Sequence, residues 1–138
     1  MKALGIIAPL MIAVCVATSA YAHHSAAGID QTKTVTVEGT VKQFKWANPH
    51  SWIEMEVQNK EGAIEIWNLE MNPPAYLVRA GWKSTTIKPG DKIKITARPF
   101  RNGDPGGLFV NLMLPDGRVL GNNAPRGSGP ATPVYEPK

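Results

Sequence analysis

Three histidines are the residues of this chain whose type and spacing best suit chemistry. His23 and His24 follow Ala20-Tyr21-Ala22, and His50 closes the run Trp46-Ala47-Asn48-Pro49-His50. The small-x-small triplet has the form a signal peptidase cuts, so cleavage after Ala22 makes His23 the first residue of the exported chain. Its free α-amine and its own imidazole then chelate one ion, provided the amine is unprotonated, which its modest pKa permits near neutral pH. A second imidazole opposite completes a three-nitrogen, T-shaped set, the histidine brace. Nitrogen donors in tetragonal geometry favour copper. The expectation is a copper-binding protein with His23 and His50 as ligands and His24 as the alternative donor. Cleavage one residue earlier gives Ala22-His23-His24, a different chelate that prefers the same metal. In the plainer reading His23 and His24 are a loose metal-catching arm, and His50 only bonds backbone at the start of the next strand.

A second constellation is Trp52, Glu54 and Glu56, which alternate with Ile53, Met55 and Val57 and so share the face opposite the core. A tryptophan beside two carboxylates suits a cationic or sugar ligand, by stacking plus hydrogen bonding. The plainer reading is a solvated strand face carrying one amphipathic aromatic. Other chemistries lack their residues. The sole cysteine, Cys15, is lost with the leader, and no glycine-rich phosphate loop, nucleophile elbow or His-Glu-x-x-His helix is present. The leading reading is a binding protein, with an oxidative copper enzyme ranked below it because no extended flat aromatic surface for a polymer substrate is evident.

The elements that must position these residues follow from the pattern of the chain. It has 138 residues, 43% hydrophobic and 19% charged, with 15 Lys+Arg against 11 Asp+Glu. That length and balance suit one globular domain. The formal charge of +4 is mild, its bases are interleaved with acids, and the Glu54–Glu56 face is acidic, so nucleic acid is not the expected partner. Residues 1–22 combine a basic start, an apolar run from Ala3 to Ala17 and the cleavage triplet, which reads as a secretory signal too short for a comfortable membrane span. The alternative is a retained anchor. The expected location is the bacterial periplasm, without membrane insertion after cleavage, and with a copper ion or an envelope protein as partner.

Residues 23–33 lack apolar periodicity and read as an N-terminal arm. Val35, Val37 and Val41 alternate around Gly39, then Phe44 and Trp46 continue on the other parity, the mark of a strand with a bulge or bend. Asn48-Pro49 turns into a second strand, Ser51 to Gln58. The polar Asn59-Lys60-Glu61-Gly62 loop leads to a third, Ala63 to Glu70. Asn72 is a candidate cap for a short helix that starts at Pro73-Pro74 and ends at Gly81. Asp91 to Ala97 and Leu108 to Leu114 read as strands four and five, with a short sixth around Val119. Residues 122–138 hold Pro125, Pro130, Pro133 and Pro137 among small polar residues and read as a disordered tail. Three antiparallel strands, a helix, then two or three more strands predict an all-β, five- to six-stranded Greek-key barrel of the OB type over residues 34–121. A β-sandwich could use the same strand list.

His23-His24-Ser25 after a leader, Trp46-Ala47-Asn48-Pro49-His50-Ser51, the Pro-Pro helix ending in Gly81-Trp82, and Lys88-Pro89-Gly90-Asp91 before a strand resemble one group. It is a family of small exported bacterial proteins catalogued as a domain of unknown function, DUF6152. The resemblance covers nearly the whole exported chain. It implies a periplasmic β-barrel and hands over no activity, substrate or catalytic residue. In an OB barrel, the surface of strands two and three is the usual ligand face.

Overall fold

The valine alternation and its single slip produce β1, Val35–Lys45, a strand long enough to pair with a different neighbour along each half. Its first half pairs antiparallel with β4 (Lys92–Pro99), from Val35↔Ala97 to Thr40↔Lys92. Its second half pairs antiparallel with β2 (Trp52–Gln58), and the register shifts between Val41 and Gln43, where the sequence parity slips. Gly39 sits at the bend because nothing larger fits. A Cβ there would lie 2.2 Å from the Glu56 carbonyl oxygen and 2.7 Å from the Met55 side chain. The computed structural model describes residues 27–123.

From β2 the polar hairpin returns the chain along β3, Ile64–Glu70, in register from Gln58↔Ile64 to Trp52↔Glu70. The short helix α1 (Pro74–Arg79) follows, then β4, β5 (Gly106–Met113) and β6 (Val119–Gly121). The strand order is β3-β2-β1-β4-β5-β6, and a parallel pairing of β3 with β5 closes it into a barrel. That closure passes through Asn68↔Gly106, where a Cβ on Gly106 would come within 2.2 Å of the Asn68 carbonyl oxygen. A five- to six-stranded mixed β-barrel with a helix between strands three and four is the OB arrangement, as the strand order in the sequence predicts.

The barrel interior is filled by the expected faces. Ile53, Met55, Leu69, Ile95, Ala97 and Leu112 have essentially no exposed surface. Trp82 stacks edge-on against Phe109 at 5.6 Å and lies 5.8 Å from Phe44, so the tryptophan is a packing residue. Helix α1 plugs the barrel with Leu77. Its end is a Schellman motif, in which the Trp82 N–H reaches Leu77 O at 3.0 Å and the Gly81 N–H reaches Val78 O at 3.1 Å.

Two local expectations are corrected here. Asn72 does not cap α1: Pro73 takes the N-cap position, with no side-chain cap. The Asn72 side chain instead donates to Asn122 O at 2.9 Å and to Asn123 Oδ1 at 2.6 Å, while its N–H donates to Asn122 Oδ1 at 2.8 Å. Asn122 is itself buried, so packed chain continues past Gly121 into the segment expected to be tail. Residues 124–138 lie outside the described region. At the other end, the described part of the arm is docked: Ile29 is buried and bridges Phe100, and Arg101 donates through Nε to Ile29 O at 2.9 Å. Among the described residues no helix is long and apolar enough to cross a membrane.

Candidate functional site

Strand parity and hairpin register together build the outer surface of β1, β2 and β3. Side chains directly opposite one another in neighbouring strands share a face, so the pairings define rows that cross the sheet. One row is Lys45–Trp52–Glu70 and the next is Gln43–Glu54–Asn68. Trp52 is half-buried, whereas Lys45, Gln43 and Asn68 are exposed. Together Gln43, Lys45, Trp52, Glu54 and Asn68 line a concavity of about 280 Å³. The β4–β5 loop is held beside β3, with the Asn68 N–H on Pro105 O at 3.4 Å, and the β1–β2 loop brings His50 to Glu70.

The charges of this face are largely satisfied internally. Lys42, the extra residue of the β1 bulge, reaches Glu54 Oε1 at 2.7 Å. The hydrogen bond to Glu54, and then that carboxylate's charge, hold the Lys42 ammonium above its usual pKa. Glu70, with 12% of its side chain exposed, accepts a hydrogen bond from the His50 imidazole at Nδ1. The contact arises because the β2–β3 ladder runs one step beyond the strands, with the Met71 N–H on Ser51 O at 2.8 Å. That places His50 diagonally from Glu70 on the outer parity. The Gln43 and Asn68 amides have no hydrogen-bond partner among the described residues.

The copper expectation is overturned. Among the described residues no group of three His, Cys, Asp or Glu side chains comes together that could hold a metal ion. His50 is a partner of Glu70 rather than the third nitrogen of a brace, and rather than a backbone-bonding turn residue. His23 and His24 lie outside the described residues, so no copper cofactor, copper partner or brace is carried further.

The Trp52–Glu54–Glu56 constellation is divided. Trp52 and Glu54 line the concavity, while Glu56, opposite Thr40 and Ile66, lines a separate and wider cleft of about 640 Å³. That cleft runs past Gly39 and Lys92 to Leu114 and Pro115 and contains no aromatic side chain. Its Glu38 and Lys94 are already paired at 2.9 Å. The smaller concavity, with its aromatic surface and uncommitted amides, has the groups of a ligand site.

Sequence reasoning missed Gln43, Lys45, Asn68 and Glu70. A signal existed for two of them. Reflecting β2 through the hairpin centre at Glu61 puts Asn68 opposite Glu54 and Glu70 opposite Trp52, as found. No such symmetry locates Gln43 and Lys45, because the bulge breaks the count between β1 and β2.

The fold and this face define an OB-type barrel whose strand-two and strand-three surface is left uncovered by the described residues. The chain belongs to the family described as a family of unknown function (DUF6152), whose match spans residues 11–110. Neither the curated proteins nor the solved structures yield a match to the chain.

Proposed function

We propose that this chain is a periplasmic, metal-free OB-fold binding module that holds a small polar ligand on the β1–β2–β3 face around Trp52. The observation that carries this reading is the pair of adjacent rows, Lys45–Trp52–Glu70 and Gln43–Glu54–Asn68, over one concavity. A half-buried indole supplies contact area at low conformational cost, and the flanking polar groups supply orientation. The leader-like residues 1–22 support an exported location. A small ligand is favoured over an envelope protein because, among the described residues, the exposed large hydrophobics, Ile64, Ile66, Tyr76 and Val78, all lie outside the two rows.

The test is a ligand-observed NMR screen of a polar fragment library against the exported chain and its Trp52→Ala variant. Fragments that bind the parent should compete with one another and lose their signal with the variant. Hits that bind both proteins equally would defeat the reading.

A further inference from the structure

The site proposed above carries six side chains whose charge and hydrogen-bonding state narrow the ligand, and the inference rests on that reading. Both carboxylates in the two rows are already occupied, Glu54 by Lys42 at 2.7 Å and Glu70 by His50. A cationic ligand would share either carboxylate with the partner already on one of its oxygens, and so gain less than it would from a free carboxylate. An oligonucleotide fares worse, because binding it needs a run of cations along the backbone. Here Lys45 is the one cation in the rows, and Glu54, Glu56 and Glu70 lie on the same outer face. What remains uncommitted is the indole surface of Trp52, the two amides of Gln43 and Asn68, and the Lys45 ammonium beside Trp52, a lone cation whose N–H groups can donate to hydroxyls as well as face an anion.

An amide side chain offers two N–H donors and a carbonyl acceptor, the complement of a hydroxyl group, which both gives and takes a hydrogen bond. The two amides flank Glu54 across three strands, so they stand about 9–10 Å apart at the usual strand spacing. Trp52 lies two residues along β2 from Glu54, about 7 Å away on the same face. A flat ring with an apolar C–H face and a polar rim fits this layout: its face rests on the indole and its hydroxyls reach the amide–carboxylate–amide row. We propose that the ligand is a neutral, polyhydroxylated sugar ring, presented singly or within an oligosaccharide. Trp52 is the stacking platform, and Gln43 and Asn68 read the hydroxyls.

The experiment titrates the exported chain by calorimetry with three classes of probe. They are neutral oligosaccharides (chitohexaose, cellohexaose and maltohexaose), tetramethylammonium as the cation, and an oligothymidylate as the single-stranded nucleic acid. The expected result is saturable binding of at least one oligosaccharide, little changed by added salt because no net charge is exchanged. Affinity should fall about tenfold in Trp52→Ala, by an amount typical of losing an aromatic platform, and by less in Trp52→Phe. Asn68→Ala and Gln43→Ala change exposed side chains and should each weaken binding several-fold while leaving the melting temperature unchanged. Binding of tetramethylammonium or oligothymidylate alone, lost in Trp52→Ala, keeps the Trp52 face as a binding site and overturns the sugar assignment. Sugar binding that survives Trp52→Ala, or no binding by any of the three classes, overturns both.

Discussion

The Nδ1 atom of His50 is hydrogen-bonded to the Glu70 carboxylate, which ties the β1–β2 loop to the last residue of β3. The carboxylate is mostly buried and the imidazole less so, with 12% and 40% of their side chains exposed. Removing the imidazole leaves a largely desolvated acceptor without its partner. His50→Ala is therefore expected to cost about 1–2 kcal/mol, and the His50→Ala/Glu70→Gln double variant to cost less than the sum of the singles. A thermal or denaturant double-mutant cycle measures this, and strict additivity would show that the contact contributes nothing.

Gly39→Ala should destabilise the barrel by about 2–3 kcal/mol, since the added methyl must displace the Glu56 backbone as well as a flexible Met55 side chain. For a domain of this size that is a fall in melting temperature of roughly 10 °C or more. An unchanged melting temperature would mean that β1 does not bend at this residue.

The packed chain end can be located by truncation. Ending the protein after Gly121 removes Asn122 and Asn123, which accept three hydrogen bonds from Asn72, and the Asn122 N–H that reaches Val110 O at 3.1 Å. Relative to a chain ending after Asn123, the shorter protein should lose about 1–3 kcal/mol by chemical denaturation. Equal midpoints would show that the Asn72–Asn122 clasp is dispensable.

Alkali should release the Lys42–Glu54 pair. Because the folded-state pKa of Lys42 is raised, its contribution is fully present below the usual 10.5 and is lost as pH rises through the folded value. The exposed setting makes the effect small. The stability difference between the parent and Glu54→Gln should be present at neutral pH and narrow well above 10.5. A difference that widens with alkali would reverse the assigned sign.

Much of the barrel is written locally. The alternation in Trp52–Gln58 and Lys92–Pro99 fixes which side chains face inward, and the parity slip in β1 marks a real bulge. What local patterning cannot carry is the choice a polar side chain makes among distant partners. Asn72 has the position of a helix cap but spends its amide 50 residues away, on Asn122. His50 has the chemistry of a metal ligand but is committed to Glu70, 20 residues on. The copper expectation joined three histidines that nothing in the local pattern requires to meet. The ligand face was half legible: Trp52 and Glu54 followed from strand parity, whereas their cross-strand neighbours required the register.

Mapping the bound ligand on the surface tests the central claim most directly. The experiment follows backbone and side-chain amide signals of the isotope-labelled protein as the tightest probe is titrated. The account predicts that shifts concentrate at Gln43, Lys45, Trp52, Glu54 and Asn68, with the Trp52 indole and the Gln43 and Asn68 side-chain amides among the largest. Shifts centred instead on Ile64, Lys92 and Leu114, in the wider cleft beyond Gly39, would contradict it.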